Sequence, residues 1–237
     1  KSYSRERIGS TFYRILNLVD IITVPSQIFA DKIIAKGVNK TKVKVVHSHI
    51  DTKKFIPLNR EKLKKKYKYL NKKIIFYYGA MWEKKGTDDL IKTIPPVLEK
   101  YSDATYIFAP RNLPFAEKYE EELKQYHQKV IIIKENINIA EYVAMADLVV
   151  LPYPELTGTE GNPSCLLETM ACKTPVITTT LPELQEIVGN DVMLTSPKDI
   201  ETLTKSILKA LDNYPKEMIQ KAYERAQEFS VEKVTQE

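Results

Sequence analysis

Between residues 74 and 194 the chain alternates short apolar runs with amphipathic segments, and that rhythm restricts its fold more than any other feature. The runs lie at 74–78, 105–109, 130–133, 148–151, 176–177 and 192–194. They are rich in Val and Ile and do not alternate with polar residues, as strands buried on both faces require. Segments at 87–100, 114–128, 139–146, 181–188 and 200–211 carry apolar residues at helical spacing. The expected fold class is α/β, a doubly wound parallel sheet covered on both faces.

A shorter alternation comes first. The spacing predicts a helix over 1–19, with Ile8, Phe12, Ile15, Leu16 and Val19 on one face. A strand at 20–24 ends at Pro25, a helix runs from its Ser26 cap to Gly37, and a strand follows at 43–46. This reads as the tail of a second, incomplete α/β domain. A Lys-rich helix over 59–70 comes next, and helices over 215–229 and from Ser230 close the chain. The expected units are 1–50, 51–214 and 215–237. The first residue is Lys1, inside a predicted helix, so part of a longer protein is expected.

Charge and composition exclude several classes. The net charge is +5, from 36 basic against 31 acidic residues, too mild to point to nucleic acid. No run of 18 apolar residues exists, so no membrane span is expected. Lys62, Lys64, Lys65, Lys66, Lys68, Lys72 and Lys73 form a basic run. It reads as a solvated helix face or, alternatively, as a peripheral contact with acidic lipid headgroups. Cys165 and Cys172 lie seven apart on one predicted helix, about 10 Å and too far to bridge. They read as buried free thiols in a reducing, cytoplasmic setting. His47 and His49 have no metal-ligand spacing and read as residues packed at a domain junction.

Two stretches carry candidate chemistry. Residues 157–178 read TGTEGNPSCLLETMACKTPVIT. A polar loop runs into a helix with Asn162 as expected N-cap and Pro163 at its first position. Leu166, Leu167, Met170 and Ala171 give the helix a buried stripe. Glu160 precedes the helix and Glu168 lies in its second turn. Unpaired amides at a helix start attract phosphate, and a carboxylate accepts hydrogen bonds from adjacent hydroxyls. The second stretch, 79–86, reads Gly-Ala-Met-Trp-Glu-Lys-Lys-Gly and also leads from a strand into a helix. In an open parallel sheet, ligands bind at such strand ends.

Glu160, seven residues, then Glu168, running on through Thr-Met-Ala-Cys-x-Thr-Pro-Val, resembles the signature of retaining GT-B glycosyltransferases of the glycogen-synthase-like group. The resemblance covers roughly residues 20–235. It implies a donor-binding, Rossmann-like domain that transfers a hexose from a UDP-, GDP- or ADP-sugar to a glycan or lipid-linked acceptor with retention of configuration. It implies no metal or other cofactor. Glu168 would hold the donor ribose, and Glu160 would contact the transferred sugar. Gly161, Asn162, Pro163, Ser164 and Cys165 would present backbone to sugar and phosphates. Gly79, Lys85 and Gly86 match the family loop G-R-x-x-x-x-K-G, where Lys85 would bind diphosphate; Ala80 stands where the family has arginine, with Lys84 or Arg111 as candidate substitutes. Glu135 and Ile137 would meet the base. In the linker-like 45–57, His49 replaces the family's glycine. Acceptor contacts would come from the rest of an N-terminal domain, and glycolipid- or polysaccharide-building members work at the inner membrane face. A non-catalytic nucleotide- or glycan-binding module supporting a partner enzyme is the alternative, motivated by Ala80. A phosphorylase or an epimerase of the same fold fits the glutamate stretch less well.

Overall fold

The computed structural model describes residues 11–111, 113–156 and 163–235. Strand β3 (Lys73–Gly79) is buried along its apolar centre: Ile74, Phe76 and Tyr78 face one side, Ile75 and Tyr77 the other. Consecutive side chains of a strand point oppositely, so five buried residues in a row need cover on both faces. That cover comes from two layers of helices.

The strands, in chain order, are β1 (Ile22–Val24), β2 (Val43–Val45), β3, β4 (Ala104–Pro110), β5 (Val130–Ile132), β6 (Leu148–Leu151), β7 (Val176–Thr179) and β8 (Met193–Thr195). The helices are α1 (Gln27–Ile34), α2 (Arg60–Lys66), α3 (Thr87–Lys92), α4 (Ile94–Lys100), α5 (Leu113–Leu123), α6 (Ile139–Met145), α7 (Ser164–Ala171), α8 (Pro182–Val188), α9 (Ile200–Asn213), α10 (Lys216–Gln227) and α11 (Val231–Val234). Six strands form one parallel sheet in the order β5-β4-β3-β6-β7-β8. Helices α6, α7, α8 and α10 pack on one face, and α3, α4, α5 and α9 on the other. The doubly wound expectation holds. The chain starts at β3, builds outward to β5, then returns to β6 on the other side of β3. That reversal opens a crevice beyond the carboxyl ends of β3 and β6.

Local chemistry explains most boundaries. Asn59, Asn138 and Asp199 cap α2, α6 and α9 by accepting a backbone N–H. The single helix expected over 87–100 is instead two, α3 and α4. Pro95 and Pro96 lack the N–H groups that would continue the ladder, and the break falls at Thr93, whose hydroxyl donates to the Leu90 carbonyl at 2.6 Å. Neither Thr87 nor Asp88 caps α3; Gly86 holds that position in the left-handed region.

The lysine run is not one solvated face. Lys64 is buried, bonding both Asp147 carboxylate oxygens at 2.7 and 2.9 Å and the Lys72 carbonyl at 2.7 Å. Lys66 pairs with Glu141, and Lys73 lies over the Tyr101 ring. Lys62, Lys65, Lys68 and Lys72 remain exposed.

The first fifty residues contribute a parallel β1–β2 pair with α1 beside it. Ser26 Oγ accepts the Phe29 N–H at 3.1 Å, the expected cap. Of the helix expected over 1–19, residues 11–16 are helical among those described; from its apolar stripe Leu16 packs on this small core, whereas Phe12, Ile15 and Val19 are exposed. Ile8 lies outside the described residues. Several bonds tie this portion to the larger sheet unit, among them an ion pair between Lys32 and Glu183. Glu186 on α8 accepts the N–H groups of Gln27 and Ile28 at 2.6 and 3.1 Å and lies 3.5 Å from His47 Nε2. Ile50 donates to the Phe229 carbonyl at 2.8 Å and accepts from Val231 at 3.1 Å. His47 thus sits in the junction, edge-on to Phe229; His49 is exposed.

Candidate functional site

The crevice at the strand reversal is a cleft of about 980 Å³. Its floor is the carboxyl end of β3, Tyr77 to Gly79, and its walls include residues that follow β4, β5 and β6. Gly79 leaves β3 with φ +127°. Gly86 closes the following loop with φ +78°, a conformation costly to any residue with a side chain. A Cβ at Gly86 would lie 1.9 Å from the carbonyl oxygen of Pro152. The loop after β3 and the chain leaving β6 therefore meet backbone to backbone, which sets where Lys85 stands.

Lys85 lines the cleft, its ammonium 5.6 Å from the centre of the Tyr153 ring. Tyr153 is buried, and its hydroxyl lies 3.0 Å from the Cys165 sulfur. Lys84 turns outward to Glu155 at 3.7 Å and over Trp82, outside the cleft lining. Ala80 lines the cleft, its carbonyl accepting from Tyr77 at 2.7 Å.

Helix α7 aims its first turn at this cleft. Pro163 is its N-cap, one position later than the expected Asn162; helical geometry begins at Ser164. Pro163, Ser164 and Cys165 all line the cleft, and among the described residues no side chain caps this helix start. Its amides are aligned for an anion. Leu166, Leu167, Met170 and Ala171 are buried beneath, at about 1.5–3 kcal/mol for each large side chain, so the helix start is rigidly held.

Glu168 projects into the cleft one turn along α7. Burial raises its carboxyl above the ordinary carboxylate value, opposed by the Tyr78 hydroxyl and by the charges of Lys54 and Arg111. Tyr78 also bonds the Cys165 carbonyl at 2.6 Å and contacts the Thr169 hydroxyl at 3.2 Å. The base of Glu168 is thus fixed by β3. Burial pushes the Cys165 thiol up to about 11, with the Tyr153 bond acting the other way. Neither cysteine is bridged.

Glu135 and Ile137 line the far wall after β5, beside Lys134, which pairs with Glu120 at 2.7 Å. Glu160, Gly161 and Asn162 lie outside the described residues. Of the sequence-predicted site, Gly79, Ala80, Lys85, Glu135, Ile137, Pro163, Ser164, Cys165 and Glu168 share this cleft. Sequence reasoning did not place Lys54, Tyr78 or Tyr153 in it. Tyr78 and Tyr153 follow or end predicted strands, a signal that was present; Lys54 is brought in by the linker fold and has no local signal. Among the described residues no group of three or more His, Cys, Asp or Glu could hold a metal, and no helix is long and apolar enough to cross a membrane.

Comparison with known proteins agrees with this geometry. The family model described as glycosyl transferases group 1 matches residues 72–213, more than half of the chain. The alpha-galactosylglucosyldiacylglycerol synthase of Streptococcus pneumoniae is 25% identical over 246 aligned positions, covering 98% of this chain and 62% of the relative. The GPI3 subunit of the phosphatidylinositol N-acetylglucosaminyltransferase of Saccharomyces cerevisiae is 21% identical, covering 84% and 46%. The chain thus spans about half to three-fifths of the length of these relatives. The Anabaena HepE protein, crystallised with UDP-glucose, superposes with a TM-score of 0.80 at 19% identity, covering 98% of this chain and 67% of that one. The architecture is that of the GT-B glycosyltransferases.

Proposed function

The chain belongs to the glycosyl transferases group 1 family, and within it we propose that it forms the donor-binding part of a retaining hexosyltransferase of the glycogen-synthase-like group. The observation that carries this reading is the convergence of Lys85, the α7 amides and Glu168 on one cleft at the strand reversal. The donor diphosphate lies against Lys85 and the amides of Ser164 and Cys165. The ribose hydroxyls bond the Glu168 carboxylate. The base lies along Glu135 and Ile137. Glu160 and the 161–162 backbone meet the sugar.

In the reaction the bond between the anomeric carbon and the diphosphate oxygen breaks, and a bond from an acceptor hydroxyl forms on the same face. The acceptor proton leaves with the departing phosphate. Negative charge grows on the diphosphate, where Lys85 and the helix amides already stand; such preorganised charge is worth most in a site shielded from water. No metal is needed in this scheme.

A UDP-sugar donor is favoured because the Anabaena neighbour was crystallised with UDP-glucose. A lipid-linked or glycan acceptor is favoured because the Streptococcus relative is named for a glycosyldiacylglycerol. Such an acceptor brings the protein to the cytoplasmic membrane face, with the acceptor held by sequence of the kind that the longer relatives have beyond the part this chain matches. The test is transfer of radiolabelled hexose from UDP-glucose or UDP-galactose to diacylglycerol acceptors by the protein carrying this chain. Transfer with the α-linkage of the donor preserved, lost in Lys85→Ala and Glu168→Ala, is expected. Donor binding with no transfer to any acceptor points instead to a non-catalytic module serving a partner enzyme, the reading that Ala80 favours and to which the name of the yeast relative, a subunit, lends support.

A further inference from the structure

The loop after β3 lacks an arginine at position 80, yet the cleft does not lack one. The β3–β4 register pairs Gly79 with Pro110, so the next residues of the two parallel strands, Ala80 and Arg111, leave the sheet side by side. The Arg111 N–H donates to the Gly79 carbonyl at 2.9 Å, extending the ladder one step and fixing that juxtaposition. Both residues line the cleft with Lys85. The Arg111 residue is exposed there, and its charge stabilises the ionised form of Glu168. Neighbouring strands are about 4.8 Å apart, less than the length of an arginine side chain, so a guanidinium rooted at 111 covers the space of one rooted at 80.

We propose that Arg111 is the second cation of the diphosphate site, supplied from β4 in place of a side chain at position 80. The inference rests on the donor-binding reading above. The other cations nearby are engaged elsewhere or rooted elsewhere. Lys84 turns away to Glu155, Lys134 is held by Glu120, and Lys54 enters from the linker. Arg111 leaves the edge from which the β3 loop departs. A guanidinium offers paired donors that fit two phosphate oxygens, with a permanent positive charge. Moving the arginine one strand over keeps that chemistry and leaves Ala80 small, so the β3 loop can lie close to the ligand.

The test is calorimetric titration of the protein with UDP, GDP and ADP, and with the corresponding nucleosides. The variants are Arg111→Ala, Arg111→Ala with Ala80→Arg, and Lys84→Ala. Arg111→Ala should weaken the bound diphosphate about ten- to a hundred-fold, as loss of a charge-assisted contact does, and flatten its salt dependence. Nucleoside affinity should stay unchanged. Ala80→Arg should restore most of the loss, and Lys84→Ala should bind as wild type. Unchanged diphosphate affinity in Arg111→Ala overturns the inference while leaving the donor-binding reading intact. So does an equal loss for the nucleoside, or no rescue by Ala80→Arg. If the wild type binds none of the three diphosphates, the donor-binding reading fails and this inference falls with it.

Discussion

Gly86→Ala should disable the site through backbone geometry, without removing any polar group. At φ +78° an alanine costs about 1–2 kcal/mol over glycine. Its Cβ would also stand 1.9 Å from the Pro152 oxygen, 2.6 Å from the carbonyl carbon and 2.9 Å from the Pro152 Cγ. An ordinary carbon–oxygen approach is about 3.3–3.6 Å, so the loop after β3 or the chain after β6 must move by roughly 1.4 Å or more. Such overpacking costs about a further 1–3 kcal/mol, giving about 2–5 kcal/mol in all. For a domain of this size that is a fall in Tm of about 4–20 °C. Gly189→Ala is the control. It also has positive φ, +57°, but its Cβ would meet nothing nearer than 3.8 Å. It carries a backbone cost of about 1–3 kcal/mol and no displacement. Urea unfolding and nucleotide titration of the two variants separate the effects. Gly86→Ala should lose nucleoside diphosphate affinity, because Lys85 moves with the loop, and Gly189→Ala should keep it whatever its stability. Wild-type affinity in Gly86→Ala would refute the argument that this backbone contact positions Lys85.

Three further outcomes follow from the same structure. Glu168→Gln should abolish nucleotide binding without reducing stability at neutral pH. Burial raises the folded carboxyl above its ordinary 4.5, so ionisation opposes folding; wild type should lose stability relative to the variant as pH rises through 4.5 to the raised value, and the two should converge below about pH 4, as urea midpoints across pH will show. Lys64→Met should cost about 3–5 kcal/mol by urea unfolding, because it leaves Asp147 with Arg60 at 3.8 Å as its remaining cation, and adding Asp147→Asn should recover part of that loss. Both thiols should titrate as free cysteines after unfolding, yet react slowly with iodoacetamide at pH 8 when folded, since desolvation pushes them up to about 11 for the half-buried Cys165 and about 12 for the buried Cys172; fast labelling of Cys172 at that pH would contradict its burial.

Much of this was legible in the sequence, for physical reasons. A strand covered on both faces has little room for polar side chains, so β3 and β6 announce themselves as apolar runs, and the buried threonines of the sheet, such as Thr178 and Thr179, bond backbone carbonyls. The α7 segment is likewise local: its apolar stripe and the stop at Lys173, φ +54°, are set by neighbours in the chain. The misses are of two kinds. Pro95 and Pro96 were in plain sight, but apolar spacing on both sides of them suggested one helix where two missing donors make two. The others depend on residues far apart. Lys64 reads as one lysine among many until Asp147, 83 positions later, folds against it. The neighbourhood of Ala80 and Arg111 exists only through the β3–β4 register, and Lys54 reaches the cleft only through the path of the linker.

The most direct test of the central claim is a calorimetric titration of this chain with UDP, GDP and ADP beside Glu168→Ala. Saturable binding of one of them, lost in Glu168→Ala, is the predicted result and also names the base. Binding that is indifferent to Glu168→Ala, or no binding of any nucleotide by the wild type, would contradict the assignment of this cleft as the donor site.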